Sequence, residues 1–115
     1  MDITIAELQA YLADRYSSWT NETGLFMKLV EEMGEAAEIL NMRSGAKLEN
    51  GTDLHTELGK ELADIIHYTV AIAAINNIPL NDIMLEKNEK ASLKYHHNTN
   101  LRLFHQGKTE KGGQL

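Results

Sequence analysis

Two pairs of acidic residues give this sequence its clearest potential for chemistry. Glu32 and Glu35 are three residues apart, and Glu61 and Asp64 repeat that spacing further along the chain. Residues three apart lie on the same face of an α-helix, so each pair would present two carboxylates together. Carboxylates gathered in one place repel one another unless a cation lies among them. If two helices bring the pairs together, the spacing therefore predicts a metal site formed by Glu32, Glu35, Glu61 and Asp64.

The ligand chemistry of such a site favours Mg²⁺, with Mn²⁺ as the alternative ion. Both ions accept octahedral sets of oxygen ligands, and Mg²⁺ usually keeps several waters and binds substrate phosphates. The chain contains no Cys, which excludes thiolate zinc sites and disulfides. We therefore expect a cofactor held by oxygen atoms.

Asp64 is the member of this set that the sequence places in the most apolar surroundings. It interrupts a stretch over residues 62–75 with few polar side chains, where an unpaired carboxylate would be costly to bury. Lys60 is the simplest alternative partner, because it lies one turn earlier on the same helix. Tyr68 and His67 lie one turn beyond Asp64 and are candidates to contact the metal ligands, with packing favoured for His67.

Four helices are predicted to position these residues. A capping box at Thr4 and Glu7 marks the start of the first helix, and Asp53 can cap the third helix. Apolar positions recur at helical spacing along the chain. The predicted helices run over residues 5–16, 24–42, 54–76 and from about 81 to 95. With no credible strand, this pattern predicts an all-α, up-and-down four-helix bundle in which the second and third helices are antiparallel neighbours. Residues 1–97 would form one domain, followed by a mobile C-terminal tail over residues 98–115.

Composition limits the classes of partner and location. The chain has 17 acidic and 11 basic side chains and a formal charge of −6, with no basic stripe for nucleic acid. Its longest apolar run, Val70–Ile75, is far too short for a membrane span. The N-terminus lacks a basic signal region, so we expect a cytoplasmic protein. The third helix is apolar around much of its circumference, which favours a homo-oligomer.

The acidic helices resemble those of the MazG-like, all-α nucleoside triphosphate pyrophosphohydrolase superfamily. In that family a Glu-Glu-x-x-Glu helix is followed by a Glu-x-x-Asp helix. This sequence has Lys-Leu-Val-Glu-Glu-Met-Gly-Glu-Ala at residues 28–36 and Glu-Leu-Ala-Asp-Ile-Ile at residues 61–66. The likeness extends over about residues 25–95. It implies cleavage of a nucleoside triphosphate between its α and β phosphates, in a homodimer or homotetramer.

The resemblance also implies roles for the acidic residues. Glu32, Glu35, Glu61 and Asp64 take the positions of the metal ligands, and Glu31 becomes a nearby helper. The carboxylate that accepts a proton from the attacking water cannot be assigned from spacing. Glu31 and Glu35 are both candidates for that catalytic role.

Substrate contacts are expected outside the acidic pairs. Lys28 could bind a phosphate, or could pair with Glu32 one turn later. Trp19 could stack on a base, although a lone Trp more often packs against the protein. The predicted fourth helix resembles the family's nucleotide-binding helix through Lys87, Asn88, Lys94 and Tyr95. It departs from the family in having Lys94 where Arg is frequent and His96 where Pro is frequent, and an exposed lysine-rich helix end is the alternative.

Three functions follow as hypotheses. The first is a Mg²⁺-dependent hydrolase that converts a nucleoside or deoxynucleoside triphosphate to its monophosphate and pyrophosphate, with a role in sanitising the nucleotide pool. The second is a phosphoribosyl-ATP pyrophosphohydrolase, which is similar in fold and chemistry. The third is a non-catalytic helical module whose acidic helices bind a basic partner.

Overall fold

Five α-helices make up the regular structure of the chain. The computed structural model describes residues 1–44 and 53–113, with side chains described through Gly107. The helices are α1 (Ile5–Arg15), α2 (Glu22–Arg43), α3 (Leu54–Ile75), α4 (Leu80–Lys94) and α5 (Leu101–Gly113). No strand occurs within those described ranges, so the all-α prediction is confirmed. None of the helices in the described ranges is long and apolar enough to cross a bilayer.

Side-chain caps fix where the first three helices begin. Thr4 accepts a hydrogen bond from the Glu7 amide, and the Glu7 side chain accepts one from the Thr4 amide, as the capping box predicts. Asn21 accepts a hydrogen bond from the Gly24 amide at the start of α2, and Asp53 accepts one from the Thr56 amide at the start of α3. Each cap satisfies an amide that has no partner within its helix. These local signals explain why the predicted helix limits lie close to the observed ones.

The fifth helix occupies residues for which the sequence predicted a mobile tail. Its start is held twice: Asn100 accepts a hydrogen bond from the Leu103 amide at 2.9 Å, and Asn88 accepts one from the Leu101 amide at 2.7 Å. Arg102 also pairs with Glu89 of α4 at 3.3 Å. The sequence did not predict these contacts, because the segment is polar and two of the three contacts involve residues of α4.

The chain divides into two compact units, Met1–Ile78 and Pro79–Leu115, where the sequence predicted one domain over residues 1–97. The first unit contains α1, α2 and α3, and α3 contacts both of the other helices. Its core contains fully buried Leu12 and Val70. The second unit is the α4–α5 hairpin, in which Ser92 is buried.

The α2 and α3 helices are antiparallel, as predicted. Near the start of α2, Glu22 accepts a hydrogen bond from Asn76, which follows the end of α3. Further along α2, Glu32 lies beside Glu61 in the first half of α3. Residues later in α2 therefore lie beside residues earlier in α3. This arrangement brings the two acidic pairs to the same level along the helices.

Candidate metal centre

The structure brings the predicted ligands together in two overlapping groups. Carboxylate oxygens of Glu32, Glu61 and Asp64 lie within 4.8 Å of one another. A second group, Glu31, Glu32 and Glu35, meets the same limit. Glu32 belongs to both groups because it projects from α2 towards α3. All four residues predicted as ligands, together with Glu31, therefore form one acidic cluster between the two helices.

Burial differs within the acidic cluster in a way that the sequence did not predict. Glu32 is buried, with 9% of its surface exposed, and Glu61 is half-buried. Asp64, which the apolar surroundings suggested as the desolvated member, is exposed, and so is Glu35. Apolar neighbours in the sequence therefore do not make Asp64 a buried residue. The acidic cluster is therefore buried at Glu32 and exposed at Glu35 and Asp64, which form its rim.

The alternative partner proposed for Asp64 is engaged elsewhere. The Lys60 ammonium pairs with Glu57 at 3.1 Å, one turn before the acidic cluster. Both side chains of this pair are substantially exposed, so the pair contributes little to stability. Lys60 therefore does not explain why four carboxylates gather between α2 and α3.

Glu61 carries the clearest electrostatic signature of the site. Its Oε2 atom is buried and has no hydrogen-bond partner within the described structure. The neighbouring Glu32 carboxylate raises the pKa of Glu61 to about 7, and burial and Glu35 act in the same direction. Two ionised carboxylates in such a position repel one another, and a proton on one of them removes that repulsion. A cation could take the place of that proton.

Lys28 lies at the edge of the acidic cluster, but its partner is not the predicted one. Its ammonium is 3.3 Å from the carboxylate of Glu31, whereas the sequence suggested a pair with Glu32. This hydrogen bond raises the pKa of Lys28, and the Tyr68 phenol on α3 contributes in the same direction. Lys28 and Glu31 are each about half exposed, so the Lys28 ammonium remains accessible to a phosphate. Glu31 therefore lies beside a fixed positive charge.

An aromatic group lies one turn further along α3. Tyr16 and His67 are hydrogen-bonded at 2.9 Å between the phenol oxygen and Nε2, in a partly buried position. Trp19 meets Tyr16 edge to face at 5.4 Å, and Tyr68 meets His67 edge to face at 5.0 Å. Trp19 also donates a hydrogen bond to the Asn21 carbonyl, yet 46% of its surface is exposed. It therefore has the packing contacts of the alternative interpretation, and nearly half of its surface stays exposed.

Tyr16 is the residue of this group that sequence reasoning missed. It ends α1, where an aromatic residue has no characteristic spacing to a site. Its contact with His67 spans 51 residues of sequence, so only the packing of α1 on α3 brings them together. The expectation that His67 has a packing role agrees with this contact.

The remaining predicted substrate contacts lie in the second unit. Asn88 uses its Oδ1 atom to accept the Leu101 amide, and the Lys94 ammonium lies 5.4 Å from the ring centroid of Tyr95. Lys87 is exposed on α4. The contacts described for these residues are made within the α4–α5 hairpin, and they give Asn88 a structural role that the sequence did not predict.

Comparison of the chain with protein-family models, with curated proteins and with solved structures finds no match. The resemblance to MazG-like enzymes therefore stays a hypothesis that rests on the acidic motifs.

Proposed function

We propose that this protein is a Mg²⁺-dependent nucleoside triphosphate pyrophosphohydrolase of the MazG-like type. The observation that carries the proposal is the buried, unpartnered Oε2 atom of Glu61 inside a cluster of carboxylates. An interaction surface for a basic protein would need only exposed acidic side chains. A half-buried carboxyl group such as that of Glu61, close to the buried carboxyl group of Glu32, is instead typical of a site that binds a cation.

The residues of the acidic cluster fit Mg²⁺ or Mn²⁺ by their chemistry. All of the candidate donors are carboxylate oxygens, with no nitrogen or sulfur atom in the two groups. Glu32, Glu35, Glu61 and Asp64 would hold the metal. The exposed rim at Glu35 and Asp64 leaves room for water and substrate phosphates, which Mg²⁺ usually retains among its ligands. When bound, the metal would neutralise phosphate charge and lower the pKa of a bound water.

The chain's own residues have distinct parts in the proposed reaction. Glu35 is exposed at the rim and accepts the proton of the attacking water. Glu31 is the second candidate, although its carboxylate already pairs with the Lys28 ammonium. The water oxygen forms a bond to the α-phosphorus, and the bond from that phosphorus to the bridging oxygen breaks. Pyrophosphate leaves with the bridging oxygen, and the nucleoside monophosphate remains.

Substrate binding would use residues around the acidic cluster. Lys28 is already held at its edge and would bind a phosphate, and the partly exposed Trp19 would stack on the base. By resemblance, Lys87, Asn88, Lys94 and Tyr95 would add phosphate and base contacts. Asn88 is the weakest of these, because its acceptor oxygen already holds the start of α5.

The proposal includes the setting in which the enzyme works. We propose a cytoplasmic homodimer or homotetramer built around an up-and-down four-helix bundle, acting to sanitise the nucleotide pool. Exposed apolar residues on α2 and α3 favour such an assembly.

The deciding experiment measures pyrophosphate release from a panel of nucleoside triphosphates, deoxynucleoside triphosphates and phosphoribosyl-ATP with Mg²⁺. Glu61→Gln should abolish release, because it removes a ligand without changing the size of the side chain. Glu57→Gln is the matched control, since Glu57 lies one turn earlier on α3 and pairs with Lys60. Activity in the control with none in Glu61→Gln is the expected result.

Each alternative gives a different result in that experiment. Preference for phosphoribosyl-ATP would favour the second hypothesis, in which the metal site is the same. Lack of pyrophosphate release, together with no Mg²⁺ binding by calorimetry, would favour the non-catalytic acidic module. Equal activity in Glu61→Gln and wild type would refute the role of the acidic cluster.

A further inference from the structure

Tyr16 and His67 form a contact that the proposed reaction does not use. The Tyr16 phenol oxygen and the His67 Nε2 atom are 2.9 Å apart, and the contact joins the end of α1 to the second half of α3. Both side chains are half-buried. Either tautomer of His67 allows this hydrogen bond, because the phenol donates to a bare Nε2 atom and accepts from a protonated one. The contact therefore fixes the Tyr16 ring relative to α3.

Trp19 depends on Tyr16 for its position. Its backbone amide donates a hydrogen bond to the Tyr16 carbonyl at 2.9 Å, and the two rings meet edge to face with their centroids 5.4 Å apart. Among the ring contacts of the described residues, Trp19 reaches α3 through Tyr16 and then His67. Edge-to-face ring pairs occur over centroid distances of about 4.5–7 Å, whereas a hydrogen bond is restricted in both distance and angle. The bond to His67 therefore restricts both rings more than their packing does.

Helix α3 carries both His67 and part of the acidic cluster. His67 follows Asp64 by three residues and Tyr68 follows it by four, so both lie one turn beyond Asp64 on the same side of the helix. Tyr68 meets His67 edge to face at 5.0 Å, and its phenol is close enough to Lys28 to interact electrostatically. Contacts therefore connect Trp19 with the edge of the acidic cluster by way of α3.

The separation between Trp19 and the acidic cluster matters for the proposed substrate. The sugar of a nucleoside triphosphate limits the distance between its base and its α-phosphate. In the proposed function Trp19 binds the base, while the metal and Lys28 bind the phosphates. Trp19 lies on the connection between α1 and α2 and is 46% exposed, so its ring stays in place only if its neighbours hold it. A small displacement of a substrate-binding group weakens binding or misaligns the reacting phosphate.

We infer that Tyr16 and His67 are positioning residues, which hold Trp19 at the distance from the acidic cluster that a nucleotide requires. This role rests on the proposed function and adds to it two residues that the acidic motifs do not include. His67 holds Tyr16, and Tyr16 holds Trp19. Packing would need only the rings, so the hydrogen bond between Tyr16 and His67 is the feature that a test must remove.

Trp19 is the only Trp of the chain, so its fluorescence reports its own surroundings. Tyr16→Phe removes the phenol oxygen and keeps the ring beside Trp19. In the full chain this variant should raise the acrylamide quenching constant of Trp19 roughly twofold, because the released ring is exposed for more of the time. Tyr11→Phe is the matched control: Tyr11 also belongs to α1, is 61% exposed and loses the same hydroxyl. It should leave the quenching constant unchanged.

Nucleotide binding and kinetics measure the consequence for the site. Tyr16→Phe should weaken binding of α,β-methylene deoxynucleoside triphosphates with Mg²⁺ about fivefold. It should raise KM by a similar factor and leave kcat within about twofold, because a base contact acts equally on the ground state and the transition state. His67→Leu should reproduce this loss, and His67→Gln should recover most of it, since a Gln amide can share a hydrogen bond with the phenol.

A double-variant comparison shows whether Tyr16 acts through Trp19. In a Trp19→Ala background, Tyr16→Phe should have no further effect on KM. The full effect of Tyr16→Phe in that background would overturn the positioning role, because the hydroxyl would then act on the fold as a whole. Circular dichroism should give the wild-type helix content for Tyr16→Phe, as expected for the loss of one oxygen atom.

The same measurements separate failure of the positioning role from failure of the proposed function. Pyrophosphate release that depends on Glu61, with unchanged quenching or unchanged KM in Tyr16→Phe, would overturn the positioning role and leave the proposed function intact. A wild-type chain that neither releases pyrophosphate nor binds the methylene analogues would overturn both.

Discussion

Glu32 and Glu61 meet across the α2–α3 interface, with carboxylate oxygens within 4.8 Å. One of the two is buried and the other half-buried, so water screens their repulsion only in part. The adjacent Glu32 carboxylate, together with burial and Glu35, raises the pKa of Glu61 to about 7. Near neutral pH the pair is therefore balanced between binding a proton and binding a cation.

The metal-free protein should lose stability as the pH rises from 5 to 8. The pKa of Glu61 is about 7 in the folded protein and near its ordinary 4.5 when unfolded, so the folded state binds more protons between those values. Stability falls with pH wherever the folded state binds the extra proton. Thermal unfolding in a chelator should show a midpoint that decreases over this window, and Glu61→Gln should flatten the decrease. A midpoint that rises with pH in wild type would contradict the proposed contact.

Magnesium should stabilise the protein more at pH 8 than at pH 5.5. A cation and a proton compete for the Glu32–Glu61 contact, so metal binds more tightly when Glu61 is ionised. At a concentration of ~100 times the dissociation constant, a ligand specific for the folded state adds about 2.7 kcal/mol to the free energy of unfolding. Unfolding midpoints measured with and without Mg²⁺ at both pH values give the comparison. Equal stabilisation at both would show that Glu61 is not a ligand.

Replacing Glu32 with Gln should separate stability from metal binding. The Gln amide can donate a hydrogen bond to the unpartnered Glu61 oxygen, and it removes the buried negative charge. We expect the metal-free variant to be more stable than wild type by about 1 kcal/mol at pH 8, while Mg²⁺ affinity falls. Urea unfolding with a chelator measures the first effect and calorimetry the second. A destabilised variant that retains wild-type Mg²⁺ affinity would assign Glu32 a structural role.

The acidic cluster was predictable because its geometry is mostly local. A spacing of three residues fixes two carboxylates on one helix face, and one further fact, the antiparallel pairing of α2 and α3, joins the pairs. Helix starts were accessible for the same reason, since Thr4 and Asp53 act on amides within the next turn.

The order of burial and the fifth helix were not predictable in this way. Whether Glu32 or Asp64 is the buried carboxylate depends on which faces the neighbouring helices cover, and no local pattern encodes that. The contact between Asn88 and the start of α5 joins two helices across 13 residues. Apolar positions on α2 recur at helical spacing, but which of them are exposed depends on the tertiary structure.

Asn88 allows a direct test of a structural role against a substrate contact. Its Oδ1 atom accepts the Leu101 amide, so Asn88→Ala leaves that amide without its partner and should destabilise the start of α5 by about 1 kcal/mol. Asn88→Asp is the matched control, because a carboxylate oxygen can accept the same hydrogen bond and its charge suits a helix start. Hydrogen exchange at Leu101 should be faster in Asn88→Ala and unchanged in Asn88→Asp.

Kinetics on the same two variants complete that test. If Asn88 only caps α5, then Asn88→Asp keeps wild-type kcat/KM for the triphosphate. If the amide also approaches a phosphate, the added negative charge of Asn88→Asp should lower kcat/KM by about tenfold, while exchange at Leu101 stays unchanged. The present contact favours the first result, since the acceptor oxygen is already engaged at 2.7 Å. A tenfold loss in Asn88→Asp would restore Asn88 to the substrate contacts that the motif predicts.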